Sequence, residues 1–249
     1  MIALFLVVQT ALVVTLIVFR YDLLRPIGET TNWLVAPDLV SGLLLLFIIA
    51  GGIFLGLGRL QPHDIGLRAS DIPAALLVTA AFWIVTQAVL VGAALLQASP
   101  VALHPDWHTH GANGMIGFLI AMLFGMALYE EVAFRGFLFP QLHLKLGRRH
   151  LWLAALVSQI LFALVHLPTR ALIAQVSANA MILHVIVLTL AGLIGVLLYV
   201  RTRNLLVVAG VHALVNAPTP LVASPVHPLF VTALLSAVLI ARPELVRRP

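Results

Sequence analysis

The sequence contains no cysteine. This absence excludes disulfide bonds, thiolate zinc sites and cysteine nucleophiles. No His-Glu-x-x-His segment is present either, and that segment is the usual sequence mark of a zinc metalloprotease helix. Any chemistry must therefore come from glutamate, histidine, asparagine, serine or arginine side chains.

Charged residues are scarce as well. Only 9% of the 249 residues are charged, 62% are hydrophobic, and the mean hydropathy is +1.11. Water-soluble domains usually carry about 25% charged residues. The 14 Lys and Arg residues outnumber the 9 Asp and Glu residues, but they stand singly or in pairs between apolar runs. We therefore expect an integral membrane protein with no nucleic acid partner.

Eight apolar runs are candidates for helices that cross a bilayer. They are Ile2–Phe19, Leu39–Leu57, Ile72–Leu96, Met115–Phe139, Leu151–Leu167, Met181–Val200, Leu205–Val222 and Pro228–Ala241. The sequence thus predicts an all-α fold, a polytopic membrane helix bundle of about eight transmembrane helices. We expect a single integral-membrane domain over residues 1–249, with its core motifs within 115–222, and a solvated, turn-rich loop over Gln97–Gly114.

Basic residues in alternate connections predict the orientation, because positively charged loops stay in the cytoplasm. If the N-terminus is inside, the inner connections hold Arg59, Arg68, Lys145, Arg148, Arg149, Arg201, Arg203, Arg242, Arg247 and Arg248. The outer connections hold only Arg20, Arg25 and Arg170. A multi-pass protein with both termini in the cytoplasm is therefore expected.

Two adjacent carboxylates and an arginine lie inside the fourth apolar run, in Leu123–Leu138. A charge near the bilayer centre costs at least ~2.5–3.5 kcal/mol on insertion scales, so such residues mark a functional site by default. On a helix Glu131 and Arg135 are four residues apart and can pair. Glu130 points about 100° away around the helix axis. We expect Arg135 to neutralise Glu131 while Glu130 faces a different neighbour. A purely structural ion pair is the alternative.

Two other runs carry polar side chains. Glu130 and His166 are equally distant from a turn at 147–149, so both should lie at the same depth of a helical hairpin and within one water molecule of each other. In the seventh run His212 and Asn216 share one helix face. If the hairpin projects far enough on the inner side, or its helices tilt, all four side chains meet in a chamber that we expect to open toward the cytoplasm.

A buried carboxylate beside two imidazoles and an amide suits the activation of water for attack on a carbonyl. Glu130 would act as the general base with the help of one histidine. The other histidine and Asn216 would donate hydrogen bonds to the oxyanion. As the alternative, Glu130, His166 and His212 could bind a divalent metal such as zinc. Glu130 would then be a ligand and no longer a base, so we predict a metal-independent hydrolase with no cofactor.

Three motifs in this order resemble those of the CAAX protease and bacteriocin-processing family of intramembrane proteases, also called the Abi family. They are Glu130-Glu131-Val-Ala-Phe-Arg135, Phe162-Ala-Leu-Val-His166 and His212-Ala-Leu-Val-Asn216. The chain is similar to the type II CAAX prenyl endopeptidases. The resemblance implies that Glu130, His166, His212 and Asn216 form the catalytic site, and that Glu131, Arg135 and Phe162 support it. Because the family is described both as glutamate-dependent and as metal-dependent, the resemblance leaves the cofactor open.

We therefore expect an intramembrane endopeptidase that uses Glu/His-activated water. Its substrate would be a membrane-associated or lipidated peptide or protein, cleaved near the cytoplasmic face, and membrane lipids would surround it. The alternative is a non-catalytic membrane binding or scaffold protein of the immunity type, which would hold a partner in the chamber. A proton-coupled transporter should show broken helices in an internal repeat, and the sequence shows no such repeat.

Overall fold

The structure is a computed structural model that describes residues 13, 17–18, 21–52, 60–97, 101–172 and 174–246. Within these ranges the chain forms helices α1 to α9 and no strand beyond an isolated bridge. The helices are α1 Arg25–Thr30, α2 Pro37–Gly51, α3 Ile72–Leu95, α4 Pro105–Leu146, α5 Leu151–Leu164, α6 Leu167–Leu172, α7 Ala178–Thr202, α8 Leu205–Asn216 and α9 Pro228–Ala241. The predicted all-α fold is confirmed.

The prediction of eight membrane spans is not confirmed. Four segments of the described chain are long and apolar enough to cross a bilayer: Ala69–Leu95, Pro105–Leu146, Leu151–Leu172 and Ala178–Thr202. Helices α2, α8 and α9 are apolar but shorter, with 15, 12 and 14 residues. The first predicted span, Ile2–Phe19, lies almost wholly outside the described residues. The apolar helices nonetheless define an integral membrane protein.

Helix α4 is the longest element, at 42 residues. It begins at Pro105, where the Nδ1 atom of His104 accepts a hydrogen bond from the Asp106 amide at 3.3 Å. The predicted loop Gln97–Gly114 is therefore wrong in its second half, because proline suits the first helical position and a capping side chain precedes it. Gly111, with φ of 67°, kinks this first stretch.

Two π-helical segments, Met122–Met126 and Val132–Leu138, flank the short α-helical stretch Ala127–Glu131 within α4. Segments of this type are frequently found at functional sites. Glu130 and Glu131 thus lie between two local changes in helical pitch.

Helix α8 ends at Asn216, six residues before the predicted end at Val222. Pro218 and Pro220 follow and have no backbone N–H, so the helix cannot continue. The segment after it is held by side chains of other helices: Trp83 donates to the Thr219 hydroxyl at 2.9 Å, and Trp107 donates to the Pro220 carbonyl at 2.7 Å.

The connections lie on two sides of the bundle, as a multi-pass chain requires. On one side Asn204 Nδ2 donates to the Asp71 carbonyl at 3.2 Å, and Arg201 Nε donates to the Ile240 carbonyl at 2.8 Å. We call this the basic side, because its described connections and flanking helix ends carry Arg68, Lys145, Arg148, Arg149, Arg201, Arg203 and Arg242. On the opposite side Leu103 pairs with Val222. This side carries Arg25 and Arg170.

The hairpin between α4 and α5 turns where the sequence predicts. Helix α4 ends at Leu146, Gly147 adopts a positive φ of 92°, and a single 3₁₀ turn at Arg148–His150 leads into α5. Only glycine adopts this backbone conformation at little cost. The turn brings α5 back along α4, so Phe162 and His166 pass the level of the paired glutamates.

Candidate active site

The Glu131–Arg135 ion pair is the most deeply buried part of the site. Arg135 Nη1 is 3.0 Å from Glu131 Oε1, and the two side chains are only 3% and 1% exposed. Arg135 Nη2 also donates to the Gly192 carbonyl at 3.4 Å, and the guanidinium lies 4.4 Å from the centre of the Phe162 ring. The predicted pair is confirmed, and it balances two charges that would be costly when buried alone.

Glu131 also orients a histidine. Its Oε1 atom lies 2.8 Å from His212 Nδ1 on α8. A carboxylate paired with arginine is an acceptor only, so Nδ1 must carry the proton of the neutral imidazole. The lone pair is then on Nε2, which lies 3.6 Å from Glu130 Oε2.

His166 reaches Glu130 from α5 with the same orientation. Its Nδ1 atom lies 2.8 Å from the Phe162 carbonyl, which can only accept, so Nδ1–H is the donor. Its Nε2 atom lies 3.6 Å from Glu130 Oε1. The expectation that Glu130 and His166 lie within one water molecule of each other is confirmed. Both imidazoles therefore point Nε2 at the same carboxylate.

Glu130 is buried and only partly satisfied. Tyr129 donates its hydroxyl proton to Oε1 at 3.2 Å. Within the described part of the chain, Oε2 accepts no hydrogen bond. The nearest imidazole nitrogens, at 3.6 Å, lie beyond ordinary hydrogen-bond length. Oε2 is therefore free to accept a hydrogen bond from a small polar group, such as water, that enters the cavity.

Phe162 packs against Arg135 and against both imidazoles. It is 3% exposed and packs edge-on against both histidines, with ring centres 4.8 Å from His166 and 6.2 Å from His212. Its other neighbours are Arg135 and Phe134. The aromatic ring limits how the two imidazoles can rotate, which agrees with the supporting position that the motif implies for Phe162.

A cavity of about 630 Å³ contains these groups. Glu130, Glu131, His166, His212 and Asn216 all line it. Asn216 is exposed and ends α8 one turn beyond His212. The predicted set therefore faces one chamber, although the catalytic assignment of each residue remains a prediction.

A larger cavity of about 990 Å³ adjoins the first. The two share Asp38, Phe118 and Asn216. The larger one is lined by residues of the opposite side, among them Trp33, His104, Asp106 and His227. Among the described lining residues of both cavities, none belongs to the connections of the basic side.

This placement corrects one expectation. The chamber was expected to open toward the cytoplasm, and the basic side was expected to be cytoplasmic. Both cannot hold, because the cavities extend to the opposite side. The reason is geometric: His166 lies two residues beyond Leu164, the last residue of α5, and Asn216 is the last residue of α8, so both lie at helix ends remote from the 147–150 turn.

The three donors that the sequence suggests for a metal are His166 Nε2, His212 Nε2 and the Glu130 carboxylate. Their chemistry suits a divalent metal, but Glu130 turns a different oxygen to each histidine. In the described ranges, no group of three His, Cys, Asp or Glu side chains is placed to hold a metal ion. The prediction of a metal-independent site is therefore not tested by this geometry and stays a prediction.

Sequence reasoning missed three neighbours of the site. Tyr129 looked like an ordinary aromatic residue of an apolar run, although its place beside Glu130 was a usable signal. Arg170 and His184 looked like residues of a loop and of a span, yet both line the cavity and bond to each other at 3.2 Å. No spacing rule connects α6 with α7 at that point.

The fold and the site define an integral membrane protein with buried carboxylates and imidazoles around one cavity. Residues 112–218 match the family model of the type II CAAX prenyl endopeptidases, described as Rce1-like. This segment carries all three motifs, so the predicted resemblance to the CAAX-type proteases is confirmed. Comparisons with curated proteins and with solved structures find no match.

The geometry predicts different costs for the two glutamates. Glu131→Gln removes a partner from both Arg135 and His212, and breaking a buried ion pair costs about 3–5 kcal/mol. Glu130→Gln keeps the shape and leaves the ion pair intact, so it should be nearly neutral. Thermal unfolding of both variants in the same detergent checks the order. A less stable Glu130→Gln variant would show that the structural and free carboxylates have been exchanged.

Proposed function

We propose that this protein is an intramembrane endopeptidase in which Glu130 activates water for attack on a peptide bond. One observation carries the proposal: the Nε2 atoms of His166 and His212 each lie 3.6 Å from a different oxygen of Glu130, inside one cavity. A purely structural ion pair needs only Glu131 and Arg135. It does not explain a second buried carboxylate between two oriented imidazoles.

In the first step Glu130 takes a proton from a water molecule bound in this gap. The water oxygen forms a bond to the carbonyl carbon of the substrate, and the carbonyl oxygen becomes an oxyanion. When His212 is protonated, its Nε2–H donates a hydrogen bond to the oxyanion. Its Nδ1–H is already held by Glu131, so Nε2–H is the group that points into the cavity. The amide of Asn216 offers two further N–H donors one turn away.

In the second step the tetrahedral intermediate breaks its carbon–nitrogen bond. The leaving amine must receive a proton, and Glu130 now carries the one taken from water. His166 can relay it, because its Nε2 faces Glu130 Oε1 and its Nδ1–H is fixed on the Phe162 carbonyl. Glu130 returns to its ionised form, and no group is consumed.

The substrate class follows from the walls of the cavity and from the family. Apart from the acid and histidine groups, the walls are largely apolar, with Leu45, Met122, Met126, Val165, Leu188 and Ile194 among them. Such walls suit a membrane-associated peptide, and the matched family is described as one of CAAX prenyl endopeptidases. We infer that the substrate is a peptide or protein with a lipidated or otherwise apolar segment.

The alternative of a non-catalytic binding protein would use the same chamber to hold a partner. It requires apolar walls and some polar groups, but it does not require two imidazoles with fixed tautomers. We therefore favour the enzyme.

Activity of the purified protein tests the proposal. After chelation and metal analysis of the same sample, the native protein should still hydrolyse a farnesylated peptide. Glu130→Gln should lower turnover by ~10²–10⁴-fold, the range of a general base. Arg25→Gln is the control, because Arg25 does not line either cavity in the described chain and pairs with Asp22 and Glu29 at the surface.

Loss of turnover after chelation, with recovery on adding stoichiometric zinc, would contradict the metal-independent mechanism. Full activity of Glu130→Gln would contradict the role of Glu130 as base. Binding of the peptide without hydrolysis by the native protein would favour the non-catalytic alternative.

Orientation can be measured directly, because the chain has no cysteine of its own. We keep the orientation that the charge count predicts, with the basic side and both termini in the cytoplasm. A membrane-impermeant maleimide added to intact bacterial cells should then label Thr109→Cys and spare Lys145→Cys, since these exposed residues lie on opposite sides. The reverse pattern would place the mouth of the cavity in the cytoplasm.

A further inference from the structure

Asp38 lies in the first turn of α2, where the two cavities meet. Together with Phe118 and Asn216 it lines both of them. The smaller cavity also contains Glu130, whose side chain is only 8% exposed and whose Oε2 atom has no hydrogen-bond partner in the described chain. A second carboxylate therefore lines the continuous space that contains the proposed catalytic group.

The carboxylate of Asp38 has no counter-charge. In the described ranges, no Lys, Arg or His side chain lies within ion-pair distance of it. Glu131 differs, because Arg135 neutralises it at 3.0 Å. The dipole of α2 stabilises an acid in its first turn, which explains why the helix tolerates Asp38. The dipole does not require this partly buried side chain to line two cavities.

The wall of the larger cavity is negatively charged. Among the described residues that line it are Asp38 and Asp106, and none of them is Lys or Arg. The Nδ1 atoms of His104 and His227 each accept a hydrogen bond from a backbone amide at 3.3 Å, so both imidazoles are neutral in this arrangement. Trp33 also lines the cavity, and the face of an indole ring attracts cations. This wall complements a positively charged group.

The packing of α2 on α4 sets the distance between Asp38 and Glu130. Gly125 of α4 lies against the backbone of Asp38, because a Cβ atom at Gly125 would come within 3.2 Å of the Asp38 carbonyl oxygen. Gly125 precedes Glu130 by five residues, which is about 7.5 Å of helical rise. An extended peptide covers this distance in about two or three residues at ~3.3–3.6 Å each.

We propose that Asp38 binds a basic side chain of the substrate, two or three residues away from the peptide bond that is cleaved at Glu130, a role that rests on the proposed function. The ammonium of a lysine or the guanidinium of an arginine donates charge-assisted hydrogen bonds to the Asp38 carboxylate. The larger cavity holds the peptide segment that carries this residue. Asp38 thus determines specificity, because it selects basic over neutral and acidic segments.

A panel of farnesylated peptides tests this role. The peptides share one apolar sequence, and mass spectrometry of the products locates the cleaved bond. Each peptide carries a single lysine at one of the three positions on either side of that bond, and norleucine at the same position is the uncharged match. At the second or third position on one side, the native enzyme should cleave the lysine peptide with ~10- to 100-fold higher kcat/KM, the range of one charge-assisted hydrogen bond. In Asp38→Asn this ratio should fall to about one.

Two further variants sharpen the result. Asp38→Lys reverses the charge, so the same position should then favour glutamate over norleucine, which a merely structural role of Asp38 would not produce. Glu29→Gln is the matched control and should keep the native ratio, because Glu29 pairs with Arg25 at the surface and lines neither cavity in the described chain.

Two results would overturn the role of Asp38. One is a lysine-to-norleucine ratio near one at every position in the native enzyme, and the other is an unchanged preference for lysine in Asp38→Asn. Failure of the native enzyme to hydrolyse any peptide of the panel, including those with norleucine, would instead overturn the proposed function.

Discussion

The site depends on the buried ion pair between Glu131 and Arg135. Two opposite charges at 3.0 Å, both almost fully buried, are tolerable in an apolar bundle only because each neutralises the other. The pair then does more than neutralise charge. The carboxylate of Glu131 holds His212, and the guanidinium of Arg135 packs on Phe162 and donates from Nη2 to the Gly192 carbonyl of α7. Helices α5, α7 and α8 thereby all contact the same ion pair of α4.

The second glutamate is different because the helix separates it from the first. Adjacent residues on a helix point about 100° apart, so Glu130 cannot share the arginine in the way that Glu131 does. It meets the two imidazoles instead, with a tyrosine hydroxyl on one oxygen. One carboxylate is thus committed to structure and orientation, and the other is left with a lone pair facing a cavity. Histidine tautomers fixed by a carboxylate and by a backbone carbonyl complete this arrangement.

The sequence predicts those parts of the site that follow from local periodicity. The Glu131–Arg135 pair follows from a spacing of four residues, and the approach of His166 to Glu130 follows from equal distance to one turn. Pro218 and Pro220 would have predicted the end of α8 at Asn216. The prediction followed the apolar residues instead and extended the helix to Val222. The contacts of Arg170 and the side on which the cavities open depend on how α2, α6 and α7 pack, and no spacing within one helix specifies that packing. The π-helical segments in α4 also lack a sequence signal.

The central claim is that Glu130 removes a proton from water and does not itself attack the substrate. Isotopically heavy oxygen tests for an acyl-enzyme that is hydrolysed at Glu130. After a single turnover in water enriched in this isotope, the new carboxylate of the product should contain one heavy oxygen, and mass spectrometry of the enzyme should find none in Glu130. Heavy oxygen in the Glu130 carboxylate would reveal an acyl-enzyme hydrolysed at that residue and would contradict the mechanism.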